Sequence, residues 1–294
     1  MFTVGTDTEF FLEKNGKLVS AIELISAGKR SPQLLTSGGN ITHDNVAMEF
    51  ATPVAHDEES FVQAVGVTIK ESLALLPKDI SINTNASADF PEEELQSEEA
   101  KQFGCDPDYD AWALCVNEPP RDASIKPFRT VGGHLHVGYV EGSGNDFLLD
   151  PMGKVMLVKI FDLILGVPMT VLDHNEAAVN RRKLYGKAGC HRPTSYGVEY
   201  RSLSNFWTFS PVLVRLVHSL AGQSLLLFRN KGAFDMLEKV SPEEVQRIIN
   251  MGDATAAEDL WVNLIAPCLP AEVVEKFNQA KTLVNINIHE EWGI

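Results

Sequence analysis

The chain has 294 residues, 44% of them hydrophobic, and 25 lysines and arginines against 40 acids leave a formal net charge of −15. A chain of this size buries a large core without disulfide staples. Its acidity excludes a surface that coats nucleic acid or an anionic membrane, because both carry the same sign. Four scattered cysteines form no CxxC pair, and Met1-Phe2-Thr3-Val4-Gly5 lacks a basic stretch followed by an apolar one. The expectation is a single cytoplasmic domain over 1–294, with no membrane partner and open to homo-oligomer formation.

The pattern predicts a first strand over Phe2–Leu12, then weaker strands at Lys17–Ile25 and Ala47–Thr52. On a strand, residues two apart share a face, so Asp7 and Glu9 point the same way. Glu49 is a lone acid among apolar neighbours. Asp57-Glu58-Glu59 opens a helix whose apolar residues Phe61, Val65, Ile69, Leu73 and Leu76 recur at helical spacing, and Pro77 stops it. A strand follows at Ile80–Asn85.

From Asp89 to Asp122 there are eleven acids and two bases, read as an acidic excursion. The next strand, Arg129–Tyr139, carries His134 and His136 on one face after two glycines, whose backbone lets a phosphate approach closely. Asp150-Pro151 opens a helix that Gly166 is expected to close, and its apolar stretch Val155–Val167 is too short for a bilayer. Arg181, Arg182, Lys183, Lys187 and Arg192 form a basic cluster suited to phosphate or carboxylate. It leads into a strand at Thr194–Leu203, where Glu199 and Arg201 share a face. Ser210-Pro211 and Ser241-Pro242 repeat the helix-opening signature, and a helical segment at about 240–294 reads as a packing or oligomer element.

Strands and helices in irregular order favour α+β with a mostly antiparallel sheet. No Walker A pattern is present, and no GxGxxG follows a strand. Burying several acids requires compensating cations, so Asp7, Glu9, Glu49, His134 and Glu199 are expected to converge on one divalent-ion site. Carboxylate dominance favours Mg²⁺ or Mn²⁺ over zinc. Each element has a plainer reading: edge-strand acids, hydrogen-bonded histidines, a surface ion pair, a solvated basic loop.

Four strings resemble the phage-encoded carboxylate–amine ligases of the glutamine synthetase and glutamate–cysteine ligase superfamily. They are Gly5-Thr6-Asp7-Thr8-Glu9-Phe10-Phe11, Phe103-Gly104-Cys105-Asp106-Pro107-Asp108-Tyr109, Gly133-His134-Leu135-His136 and Tyr196-Gly197-Val198-Glu199-Tyr200-Arg201-Ser202-Leu203-Ser204. The resemblance implies a glutamine synthetase-like sheet funnel with helices on one side and a helical C-terminal tail. It implies ATP with Mg²⁺ or Mn²⁺, and a carboxylate and an amine as substrates joined through an acyl phosphate. Asp7, Glu9, Glu49, His134 and Glu199 take the metal positions by this likeness, and His136 sits beside the nucleotide phosphates. Arg201 takes the γ-phosphate position, with Arg181, Arg182 or Lys187 as candidates for a second phosphate contact. Arg201, Glu49 and Asp108 are the catalytic candidates, and Asp106, Asp108 and Asp110 all remain open as acceptor of the amine proton. Two other readings stay open: a metal-dependent hydrolase using the two histidines, and an inactive ligase-like binding protein.

Overall fold

The long first strand, β1 (Thr3–Lys14), alternates between half-buried and buried residues, as the spacing predicts. In this computed structural model, which describes residues 1–101, 108–117 and 127–294, β1 organises an antiparallel sheet. The other strands are β2 (Lys17–Val19), β3 (Gln33–Leu34), β4 (Asn40–Asp44), β5 (Ala47–Ala51), β6 (Ile80–Asn83), β7 (Ser87–Asp89), β8 (Asp108–Asp110), β9 (Cys115–Asn117), β10 (Phe128–Thr130), β11 (Gly133–Gly138), β12 (Cys190–Pro193) and β13 (Gly197–Tyr200). Among the described residues eleven strands join in one sheet, ordered β3-β4-β5-β1-β11-β13-β12-β8-β9, with β2 and β6 pairing the far half of β1. β7 and β10 form a separate ribbon.

The expected strand at Arg129–Tyr139 is therefore two strands in two sheets. The break lies at Gly132, whose N–H donates to Glu9 Oε2 (2.7 Å) while its carbonyl accepts from the Glu9 N–H (2.8 Å). A side chain at 132 would meet His134 Nε2 and Arg181 Nη2 within 2.7 Å, so the crossing needs glycine. The Lys17–Ile25 strand shortens to Lys17–Val19, and β12 arises inside the stretch read as a basic loop. The acidic excursion is also not all loop. β8 pairs with β12 at the sheet edge, and Glu94 and Glu99 accept from the Ser20 N–H and pair with His43. Residues 102–107 and 118–126 lie outside the described residues, and with them Asp106 and most of the 103–109 string.

Even-numbered residues of β1 from Val4 to Leu12 face the core, where Phe10 stacks on Phe50 and Phe209. The helix Glu58–Ala74 begins at the expected cap, with Asp57 accepting from the Ser60 N–H. A second helix runs from Pro151 to Leu172 without stopping at Gly166. Gly166 has ordinary helical φ and ψ, and the chain passes through a π-helical turn at Asp162–Gly166. This 22-residue helix and Pro211–Arg229 are long and apolar enough to cross a membrane. Both bury apolar side chains inside the molecule, Leu157, Leu163, Leu165, Leu216 and Leu220 completely. The C-terminal segment packs against the body through Trp261, Phe277 and Trp292, whose indole N–H donates to the Thr208 carbonyl.

The π-helical turn places a carboxyl in the core. Asp162 is fully buried and accepts from Trp112 Nε1 (2.6 Å) and the Tyr200 hydroxyl (2.7 Å). Burial pushes it up to about 7, against 3.8 in the unfolded chain. Between those values the folded state holds a proton that the unfolded state has lost. This group therefore makes stability fall as pH rises from about 4 to 7, by at most about 1.4 kcal/mol per unit. Urea midpoints at pH 5 and 7 should converge in Asp162→Asn relative to wild type, and an unchanged pH difference would remove this assignment.

Candidate functional site

Strand register, rather than any one motif, assembles the polar residues. Asp7 lies opposite His134 and Glu9 opposite Glu49. His136 lies opposite Glu199, and Glu199 opposite Arg192. Directly opposed residues in an antiparallel pair point to the same face, as do residues two apart. All of these side chains thus occupy the face away from the Phe10 core.

They form two acid groups rather than the single site expected. Ligand atoms of Asp7, His136 and Glu199 lie within 4.8 Å of one another, and so do those of Glu9, Asp44 and Glu49. In the first group Asp7 Oδ1 is 2.9 Å from His134 Nδ1 and 3.2 Å from His136 Nε2. Burial pushes Asp7 up, but the two imidazoles more than offset this and hold it well below the usual carboxylate range. The Tyr196 hydroxyl lies 2.5 Å from His136 Nδ1, which fixes the ring and leaves Nε2 facing Asp7.

His134, expected as the metal histidine, stands differently. Its Nδ1 lies between Asp7 and Arg201 Nη1 (3.3 Å), so the structure seats His136 rather than His134 in the three-residue group. Arg201 contacts Glu199 directly, and its Nε is 3.5 Å from Asp108 Oδ2. Arg192 Nη1 reaches the other Glu199 oxygen at 3.1 Å. Glu199 is 2% exposed and burial pushes it up, yet Arg201 and the imidazoles of His134 and His136 outweigh this and hold it below its ordinary value. Asp108, on β8 between β12 and β9, is brought to the same face although the residues before it are not described.

The second group is short of positive charge. Burial raises Glu9, and it raises Glu49 well above the carboxylate range, with the neighbouring acids adding to the effect. Lys29 Nζ lies 2.6 Å from Asp44 and 3.6 Å from Glu49. Neither Asp44 nor Lys29 stands out in the sequence. Asp44 had a readable signal, since a tight Asp44–Ala47 hairpin would lay it beside Glu49, but β4 was not expected. Lys29 had none.

The basic cluster disperses. Arg181 is 2% exposed and donates to the carbonyls of Ser202 and Arg201, both at 3.1 Å. Burial pulls it down to about 10. Arg182 is likewise buried and donates to the Asp173 carbonyl. These guanidiniums brace the chain around β13 instead of presenting a fork to a phosphate. Lys187 is exposed, and its carbonyl accepts from Ser202 Oγ and the Cys190 N–H. Of this cluster, Arg192 is the member on the site face.

The first group suits a divalent cation. Asp7 Oδ1 and His136 Nε2 are buried without a well-aligned hydrogen-bond partner, and they sit 3.2 Å apart. Two neighbouring ligands each about 2.1 Å from one ion stand roughly 3 Å apart. Oxygen ligands with one imidazole fit Mg²⁺ or Mn²⁺.

Among the described residues, fold and site together define an α+β protein with a large antiparallel sheet whose open face concentrates acids, imidazoles and guanidiniums. Residues 123–267 match the family described as phage phiEco32-like COOH.NH2 ligase-type 2. The match includes the His134–His136 strand and the Glu199–Arg201 stretch that begins in β13. Among solved structures, a bifunctional glutathione synthetase from Pasteurella multocida aligns with a TM-score of 0.42 and 12% identity. The alignment covers 95% of this chain and 52% of that one, so the chain spans about half the length of that protein. No curated protein sequence matches.

Proposed function

We propose that the protein is an ATP-dependent ligase that joins a carboxylate to an amine through an acyl phosphate, working as one domain on a glutamine synthetase-like sheet face. The observation that supports this best is the convergence of Asp7, His136, Glu199, Arg201, Arg192 and Asp108 on one face. A carboxylate resists amine attack because its leaving group would be oxide. Its oxygen must first bond to the γ-phosphorus as ADP leaves; the amine nitrogen then bonds to the acyl carbon as phosphate leaves. Divalent ions held by Asp7, His136 and Glu199, and by Glu9, Asp44 and Glu49, would neutralise the phosphates and polarise the transferring group.

The chain's own groups have separable tasks. Arg201 and Arg192 supply fixed guanidiniums where two anions must meet. Tyr196 holds the His136 ring, so that Nε2 keeps its direction. Asp108 lies at the Arg201 end of the face and accepts the proton that the incoming ammonium loses.

The test is ADP release by the full chain with ATP and Mn²⁺ over a panel of carboxylates and amines, with ¹⁸O-labelled carboxylate. Label passing into phosphate, and hydroxylamine trapping of a hydroxamate, are the expected results. Amide or ester cleavage without nucleotide would instead establish the hydrolase. Asp108→Asn should lower amide formation by about 10²–10⁴-fold, the range for general acid–base catalysis, while hydroxamate trapping persists. Equal loss of both would place Asp108 in the phosphoryl step or in folding.

A further inference from the structure

Asp162 begins the π-helical turn that interrupts the Pro151–Leu172 helix, and it is fully buried. Its two oxygens serve different strands. Oδ1 accepts from the hydroxyl of Tyr200 (2.7 Å), which stands on β13 next to Glu199. Oδ2 accepts from the indole N–H of Trp112 (2.6 Å), in the turn that joins β8 to β9. Among the described residues β8 is three residues long and pairs with β12 at Tyr109 and Asp110, so Asp108 lies one residue beyond the last of these pairs. The turn itself is closely seated. The Ala111 N–H donates to the Gly189 carbonyl (2.9 Å), and Asp110 Oδ1 accepts from the N–H groups of Trp112 (2.7 Å) and Ala113 (3.0 Å). Gly189 has a φ of +82°, and a side chain there would meet Asp110 Oδ1 and Trp112 Cδ1 at 2.8 Å, so the turn closes against glycine. Lys159, one helical turn before Asp162, holds Nζ 5.2 Å from the centre of the Trp112 ring.

We propose that Asp162 is a positioning residue for amide formation: it pins the Trp112 indole, and through it β8, so that Asp108 stands at the Arg201 end of the site face. The assignment rests on the reading of Asp108 as acceptor of the amine proton. Proton transfer requires the acceptor within hydrogen-bond reach of the amine, and a displacement of about 1 Å costs on the order of 10²-fold. A strand held to β12 at two residues leaves that freedom, and a hydrogen bond from its turn to a buried carboxyl removes it. π-helical turns recur at functional sites, and this one presents a single carboxyl to both β13 and the β8–β9 turn. The strands that carry Arg201's neighbour Tyr200 and the acid Asp108 are thus referred to one fixed point. Asp162 touches no reacting group and acts through Trp112 and Asp108.

The test follows amide formation and hydroxamate trapping side by side in the full chain, with the substrates that the panel above defines, and amide hydrogen exchange without substrate. Trp112→Phe keeps the ring and removes the N–H, and Asp162→Leu removes the acceptor. Each should lower the ratio of amide to hydroxamate about 10–100-fold. The double variant should lose no more than either single one, because both act through one hydrogen bond. Asp162→Asn should restore most of the ratio, since its amide oxygen accepts from the indole while its NH₂ donates to the Tyr200 oxygen. Exchange of the Ala111 N–H should quicken at least about tenfold in Trp112→Phe and Asp162→Leu. A merely structural Asp162 would lower both products together and leave their ratio unchanged. If Asp162→Leu does not fold, Trp112→Phe decides. An unchanged ratio in these variants while Asp108→Asn lowers it overturns the proposal alone. So do additive losses in the double variant, an Asp162→Asn as impaired as Asp162→Leu, or unchanged exchange at Ala111. A ratio that Asp108→Asn itself leaves unchanged overturns the reading of Asp108 and the proposal with it.

Discussion

Replacing Arg201 with alanine is expected to lower turnover by about 10²–10³-fold and to destabilise the fold, because one guanidinium serves both purposes. The side chain is 5% exposed and touches Glu199 and His134, with Asp108 at 3.5 Å. Removing it leaves Glu199, which is 2% exposed, with Arg192 as its remaining arginine partner and takes the Arg201 contact from Asp108, which is 7% exposed. Breaking a buried pair in this way costs about 3–5 kcal/mol. In a chain of this length that corresponds to a fall in melting temperature on the order of 10 °C. Arg201→Lys separates the two functions. It keeps the charge beside Glu199 and loses the planar fork, so turnover should fall similarly while most of the melting temperature returns. Measuring both quantities on both variants decides the matter. If Arg201→Lys retains turnover, Arg201 is an ion-pair partner and the strongest support for a phosphoryl-transfer face is lost.

Asp7→Asn should remove the Mn²⁺ site formed with His136 and Glu199 and lower turnover by about 10³-fold, on the scale of losing a preorganised charge at the reacting centre. Asp7 Oδ1 and His136 Nε2 are the two buried, poorly partnered atoms that face each other, so the site depends on the carboxylate more than on any other single group. Asparagine preserves the side chain's shape, so the melting temperature without metal should move less than in Arg201→Ala. Glu199→Gln should weaken the same ion, but it also releases Arg201 and Arg192, and its melting temperature should change more. Calorimetric titration of chelator-treated protein measures the first effect directly. An Asp7→Asn protein that binds Mn²⁺ with wild-type stoichiometry and affinity would remove Asp7 from the metal set.

The same-face pairs Asp7/Glu9, His134/His136 and Glu199/Arg201 were legible in the sequence because a strand's period is local. The capped helix at Glu58–Ala74 was legible for the same reason: Asp57 and Pro77 signal its ends within a few residues of the backbone groups they affect. What local pattern cannot specify is which strands become neighbours. Glu49 lies opposite Glu9, and His136 lies opposite Glu199, only because of register between distant segments. That register splits the acids into two groups and seats His136 rather than His134 in the first.

Burial of charge was likewise decided only by the tertiary structure. Arg181, Arg182 and Arg192 look alike as basic residues of one stretch. The helix Glu176–Arg182 sends the first two into backbone carbonyls, whereas β12 brings the third to the site face. Asp44 became a site residue through the β4–β5 hairpin, and Lys29 through a loop that carries no periodic signal. The sequence by itself determined the donor chemistry, the face each strand offers and the helices that back the sheet, all set by spacing within single elements. The tertiary structure alone decided which donors meet and which charges stay available, because electrostatics acts between atoms a few ångströms apart whatever their separation along the chain.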